Sequence, residues 1–217
     1  MFTGIVQQVG VVAAVTRSGC GRTLHINPGG GEAVAAPGDS VAVNGCCLTV
    51  TPPDPGSAGD AAAARVLRFD VIQQTLRTTA LGGLAVGDAV NLEPAVTAET
   101  LMSGHLVQGH IDGVGTVRSI RVDAGEHRVR LEPPPGLMEF IVDKGSIAID
   151  GVSLTVASIG DSWFEVALIP TTLDLTNLGG LREAGRVNIE ADYVAKIVVN
   201  WMRRRDRAER EEKIDRE

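Results

Sequence analysis

The chain repeats itself, and the repeat limits what it can fold into. Ser40-Val-Ala-Val-Asn-Gly-Cys-Cys-Leu-Thr-Val50 returns as Ser146-Ile-Ala-Ile-Asp-Gly-Val-Ser-Leu-Thr-Val156. Two further echoes flank this one in the same order. Phe2-Thr-Gly-Ile-Val-Gln-Gln-Val-Gly10 matches Val107-Gln-Gly-His-Ile-Asp-Gly-Val-Gly115, and Thr75-Leu-Arg-Thr-Thr-Ala-Leu-Gly-Gly-Leu84 matches Thr172-Leu-Asp-Leu-Thr-Asn-Leu-Gly-Gly-Leu181. Each copy therefore opens with a Gly-rich strand, carries a central hairpin and closes near Val-Asn-Leu-Glu93 or Val-Asn-Ile-Glu190. A period of about 100 residues is too long for a solenoid and suits a duplicated small domain.

The expected division is a first domain over 1–96, a second over 97–190 and a C-terminal helix with a charged tail over 191–217. Alternating apolar residues around Asn44-Gly45 and Asp150-Gly151 predict tight hairpins, because these residues accept positive φ cheaply. The 26 glycines, many between strand candidates, fit an all-β barrel or sandwich. Pro52 to Asp60 reads as a mobile surface insertion without a counterpart in the second copy. From Ala191 the period becomes helical: Val194, Ile197, Val198 and Trp201 form one apolar stripe that must be buried somewhere.

A net charge of −7 and an aromatic content of 3% argue against a nucleic-acid surface, which needs clustered cations and stacking platforms. No apolar run is long enough to span a membrane, and the N-terminus lacks a signal-peptide pattern, so a cytoplasmic protein is expected. Three cysteines, two of them adjacent, make a poor disulfide framework and read as free thiols.

A two-residue turn at Asn44-Gly45 would place Val41, Val43, Cys46, Leu48 and Val50 on a core face. The other face would carry Ser40, Ala42, Cys47 and Thr49, and in the second copy Ser146, Ala148, Ser153 and Thr155. Small, polar and uncharged, that face reads as the lining of a shallow ligand site. Cys47 stands opposite Ser153 in the internal alignment, so equivalent sites carry different nucleophiles; a small half-buried cysteine is the plainer reading. His105 and His110, five apart, would lie on opposite faces of a strand and form no metal-chelating pair. His110 aligns with Ile5; His25 and His127 receive no role. No phosphate-binding loop, nucleophile elbow or metalloprotease helix occurs.

Met1-Phe-Thr-Gly-Ile-Val6, Val43-Asn-Gly-Cys-Cys-Leu-Thr-Val50, His105-Leu-Val-Gln-Gly-His-Ile-Asp-Gly113 and Ile149-Asp-Gly-Val-Ser-Leu-Thr-Val156 closely resemble the riboflavin synthase alpha chain, from residue 1 to about 190. The resemblance implies two six-stranded antiparallel Greek-key barrels, a trimer formed through the C-terminal helix, and no cofactor or metal. It implies a dismutation in which two molecules of 6,7-dimethyl-8-ribityllumazine exchange a four-carbon unit, giving riboflavin and 5-amino-6-ribitylamino-pyrimidinedione. The site would lie between the first barrel of one subunit and the second barrel of a neighbour, and lumazine synthase becomes a candidate partner.

Carried over by position, Phe2, Thr3, Gly4, Ile5 and Val6, with Cys47, Leu48 and Thr49 and with Asp70, Val71, Ile72, Gln73, Gln74 and Thr75, would line the first lumazine pocket. Gly109, His110 and Ile111, Lys144, Ser153, Leu154 and Thr155, and Ala167, Leu168, Ile169, Pro170, Thr171 and Thr172 would line the second. Ser40 and Cys47 are expected to assist the lumazine of the first barrel, and His105, with Ser146 nearby, to move protons. Three positions depart from the family pattern: Gln74 and Thr171 stand where acidic residues or, for Thr171, a histidine are common, and Cys46 where an apolar residue is. The rival expectations are a lumazine- or flavin-binding protein of this fold without turnover, such as the lumazine proteins of bioluminescent bacteria, and an oligomeric barrel scaffold whose Ser/Thr faces are only interface.

Overall fold

The computed structural model describes residues 1–19, 21–29, 35–53, 65–123 and 125–214, with side chains to 211. Cys20, the greater part of the Pro52 to Asp60 insertion and the last three residues lie outside the described residues. Among the described residues, twelve strands close into two separate barrels. In the first, the order around the barrel is β1 (Gln8–Ser18), β2 (Gly21–Asn27), β5 (Leu67–Ile72), β4 (Cys46–Thr51), β3 (Ser40–Val43) and β6 (Ala89–Pro94). In the second it is β10 (Val152–Ile159), β11 (Phe164–Leu168), β8 (Glu126–Glu132), β7 (Gly113–Asp123), β12 (Arg186–Ala191) and β9 (Ser146–Ile149). All pairings are antiparallel, and the jump from β2 to β5 makes the connection Greek-key rather than up-and-down.

The central hairpins form as read. Val43 pairs with Cys46 and Ala42 with Cys47, and Ile149 with Val152 and Ala148 with Ser153. Asn44 and Gly45 take φ of 44° and 76°, Asp150 and Gly151 take 43° and 78°, the all-positive geometry of a type I′ turn. Val41, Val43, Cys46, Leu48 and Val50 enter the first barrel's core with Leu24, Phe69 and Leu92. In the second, Ile147, Ile149, Val152 and Val156 do the same with Val129, Phe164 and Ile189. Matching bulges at Val12/Ala14 and Val117/Ser119 bend the long β1–β2 and β7–β8 pairs, which lets six strands close.

The barrels pack about a pseudo-two-fold axis, with the hairpin turns back to back. A Cβ on Gly45 would come within 2.6 Å of the Gly151 nitrogen, and one on Gly151 within 2.7 Å of the Gly45 nitrogen, so both turns need glycine for approach as well as for φ. Asn91 donates to the Asp150 carbonyl at 2.9 Å and Asn188 to the Asn44 carbonyl at 2.8 Å, each reaching from one barrel into the other's turn. Phe2, Ala42, Val107 and Ala148 fill the seam between them.

Two expectations change here. Ala42 and Ala148, placed on a ligand-facing surface by the hairpin pattern, are 3% and 2% exposed because each barrel covers that part of the other's face. The strands expected from Phe2 and from Val107 begin only at Gln8 and Gly113; ahead of them the chain makes one antiparallel bridge, Phe2 to Val107. His105 and His110 therefore do not lie on a strand. Two short helices appear where the Thr-Leu echoes lie, α1 (Gln73–Thr78) and α2 (Pro170–Leu175). The C-terminal helix, α3 (Tyr193–Ile214), starts where the Asp192 carboxylate accepts the Val194 N–H at 2.8 Å, an N-cap.

Candidate lumazine-binding site

The site is organised by two buried carboxylates that no motif had marked. Glu93, at the end of β6, accepts the Thr3 N–H at 2.6 Å, the Thr3 hydroxyl at 2.7 Å and the Gly4 N–H at 3.0 Å. Glu190, at the end of β12, accepts the N–H groups of Gln108, Gly109 and His110 at 2.6, 2.9 and 3.1 Å. Burial pushes both carboxyls above the usual range, and the donated hydrogen bonds pull them back toward ionisation. A charged residue ending an otherwise apolar Val-Asn-X-Glu strand, twice, was the available signal.

Held this way, each glycine segment crosses to the other barrel. The Ser153 N–H donates to the Gly4 carbonyl at 2.7 Å, and the Cys47 N–H to the Gly109 carbonyl at 2.9 Å. Gly4 and Gly109 have φ of 75° and 82°, and a Cβ on either would meet Ser153 Cβ or Cys47 Cβ at 2.6 Å. Val6 packs on the second barrel's core and Ile111 on the first's. The grouping expected from the sequence is thus exchanged: Gly4, Ile5 and Val6 join Ser153, Thr171 and Thr172, and Gly109 to Ile111 join Cys47.

The first of these combinations lines an open cleft of about 200 Å³, with Thr171 and Thr172 supplied by α2. Among the other expected residues, Leu48, Val71 and Leu168 turn into the cores, so only their backbone is left for a ligand. Ile72, Gln73, Gln74, His110, Lys144, Thr155, Ile169 and Pro170 are exposed, and Ser40, Thr75, Ser146, Leu154 and Ala167 half-buried. Asp70 accepts the Thr23 hydroxyl at 2.7 Å and pairs with Arg68. Phe2 and Thr3 are buried as supports of the glycine segment.

His105 lies against the cleft. Its Nδ1 is 2.7 Å from the Ser153 hydroxyl oxygen, so its partner is Ser153 and not Ser146. Burial lowers its pKa, an effect that Asp192 partly opposes, and the neutral imidazole is the favoured form. Its Nε2 is buried with no hydrogen-bond partner. Cys46 is a core residue whose thiol burial pushes up to about 12, with Cys47 and Glu190 adding to the effect. Cys46 and Cys47 are both free, and among the described residues no group of His, Cys, Asp or Glu is arranged to hold a metal.

Two closed barrels, each presenting a Cys or Ser hairpin edge to a glycine segment from its twin, define a tandem-barrel protein with one binding-domain unit built twice. The lumazine binding domain model matches twice, over residues 3–95 and 108–192. The chain is 42% identical over 206 residues to the riboflavin synthase of Mycobacterium tuberculosis, covering 94% of this chain and 98% of the relative. It is 39% identical over 202 residues to that of Actinobacillus pleuropneumoniae, covering 93% and 90%. Its fold is similar to that of LumP complexed with 6,7-dimethyl-8-(1'-D-ribityl) lumazine, with a TM-score of 0.74, 29% identity and coverage of 88% of this chain and 99% of that one. The chain belongs to the riboflavin synthase family.

Proposed function

We infer that this protein is a riboflavin synthase, dismutating two molecules of 6,7-dimethyl-8-ribityllumazine into riboflavin and 5-amino-6-ribitylamino-pyrimidinedione. The observation that carries the reading is the pair of crossed glycine segments, which meet hairpin edges of unequal chemistry. Two copies of one ligand can be held in the same way yet meet different side chains, Cys47 in one and the Ser153–His105 pair in the other. A dismutation requires that inequality, because one copy gives up four carbons and the other receives them.

The reaction begins with loss of a proton from the 7-methyl group of one lumazine. Its carbanion delocalises onto the pyrimidine oxygens, where backbone N–H groups and the Thr171 and Thr172 hydroxyls stabilise it. A neutral His105, hydrogen-bonded through Nδ1 to Ser153, is suited to move the proton along that pair. Cys47 and Ser40 act on the lumazine of the first barrel as nucleophile and support.

Ligand sites that enclose a molecule of this kind are commonly about 300–1,000 Å³. The cleft of about 200 Å³ is smaller and open, which supports closure by the barrel of a neighbouring subunit. Its partners on this reading are two lumazines per site, further copies of the chain forming a trimer through α3 and, by the family's pattern, lumazine synthase.

The test is anaerobic incubation with 6,7-dimethyl-8-ribityllumazine alone. Two lumazines consumed per riboflavin formed is the expected result. Tight binding without riboflavin would make the protein a carrier like LumP. Within the synthase reading, His105→Ala is expected to lower kcat by about 100-fold with lumazine binding retained. Full turnover in both His105→Ala and Cys47→Ser would remove these two assignments.

A further inference from the structure

The two barrels differ most in charge at one pair of equivalent places, at the open end of the first long hairpin beside the short helix. In the first barrel Arg17, Ser18, Gly21 and Arg22 from β1 and β2 meet Gln73 and Arg77 around a cavity of about 480 Å³. Arg22 is anchored there, its Nη1 donating to the Gly82 carbonyl at 3.0 Å. Arg17 and Arg77 are exposed and make no hydrogen bond or ion pair with another described residue. Among the described residues, no acidic side chain lines the cavity.

Strand register gives the corresponding residues in the second barrel. Arg22 pairs with Val71 and with Arg17, as His127 pairs with Leu168 and with Val122. The Thr-Leu-Arg77 echo becomes Thr-Leu-Asp174. Three arginines thus correspond to Val122, His127 and Asp174, with Asp123 and Glu126 closing that hairpin. The same backbone carries three arginines in one copy and Val122, His127 and Asp174 in the other, so the fold does not require the cations. In a chain of net charge −7 they are also not part of a general basic surface.

We propose that Arg17, Arg22 and Arg77 form a binding site for a phosphate or phosphomonoester dianion on the first barrel. Guanidinium groups present paired donors that match phosphate oxygens, and one already fixed in place loses little freedom on binding. Gln73 lines this cavity and also belongs to the Asp70 to Thr75 segment of the expected lumazine pocket, so the phosphate end of a ribityl phosphate is one source and free phosphate the other.

The test is calorimetric titration of the full chain with inorganic phosphate at constant ionic strength. One saturable site per chain is expected, weakened about tenfold or more in R17V/R77D, which copies the second barrel and leaves the Arg22 anchor intact. Thermal unfolding in chloride checks that this variant is folded; R77Q, at an exposed helix position, repeats the test if it is not. A second arm compares riboflavin with riboflavin 5'-phosphate. Affinity added by the 5'-phosphate in the parent and lost in the variant assigns the site to a phosphorylated flavin, whereas phosphate binding with no such gain assigns it to the free ion. Absent saturation, binding that survives both substitutions, or equal competition by chloride overturns the proposal. Phosphate alone reads it out, so the outcome is independent of riboflavin synthesis.

Discussion

Asn44 and Asp150 occupy the same turn position in the two repeats, and the exchange of one amide for one carboxyl has a thermodynamic consequence. Each side-chain oxygen accepts the N–H of a strand asparagine, Asn91 at 2.7 Å and Asn188 at 2.8 Å. Asp150 is buried beside neutral Asn44, Asn177 and Asn188, and burial pushes its pKa up to about 7 against the hydrogen bonds from Asn188 and Asn177. An unfolded aspartic acid releases its proton near pH 3.9. The folded chain therefore holds this proton more tightly, and the group's contribution to stability is complete below about pH 4 and is lost as pH rises to about 7. Asp150→Asn copies the first repeat and removes the titration. Urea unfolding of parent and variant at pH 5 and pH 8 should show the variant gaining by about 1–3 kcal/mol between the two. A gap that does not change with pH would exclude Asp150 as the titrating group. Of this chemistry the sequence displayed only the turn, because a carboxyl's burial depends on the other barrel.

At the scale of elements, local chemistry decided what was legible. The hairpins were, since alternation with Asn-Gly or Asp-Gly between strands is complete within a dozen residues. The C-terminal helix was too, from its stripe. The helices α1 and α2 were not: six residues give less than two turns and no measurable period. Nor was the crossing of the glycine segments, which depends on carboxylates some 80 to 90 residues away in sequence, Glu93 and Glu190. That crossing makes each pocket depend on both repeats. Gly109→Ala would force a Cβ toward Cys47 Cβ and the Phe2 ring at 2.6 and 2.8 Å while holding φ at 82°. The expected cost is about 1–3 kcal/mol of stability together with weaker lumazine binding. Gly83→Ala, where a Cβ meets nothing within 4 Å, serves as the control. Unfolding midpoints and fluorescence titration measure both effects, and equal behaviour of the two variants would show that the close approach is not needed.

The molecule as a whole leaves its longest helix largely uncovered. Over 22 residues α3 touches its own chain chiefly at the turn Met138–Phe140, with Lys196 on Asp112 and Arg203 on Glu139. Val194, Ile197, Val198 and Trp201 are 59, 51, 49 and 61% exposed, four apolar side chains on adjacent turns with water on them. A soluble chain rarely leaves such a stripe bare, and a second unfinished feature, the small open cleft, asks for the same remedy. In the trimer proposed above, association of α3 helices from several copies would cover the stripe and bring a second barrel toward each first barrel. Val198→Asp places a carboxylate inside that contact, where its desolvation costs several kcal/mol, against almost nothing on a solvent-exposed helix. Sedimentation of this variant should give the mass of one chain where the parent gives three, with riboflavin formation reduced about 100-fold or more at micromolar concentration. Trimeric V198D would show that α3 is not the seam, and a fully active single chain would refute a catalytic site shared between subunits. If the activity of the monomeric variant instead returns as its concentration is raised, assembly and catalysis are the same equilibrium, and the helix at the end of the sequence governs chemistry on barrels it barely touches in its own chain.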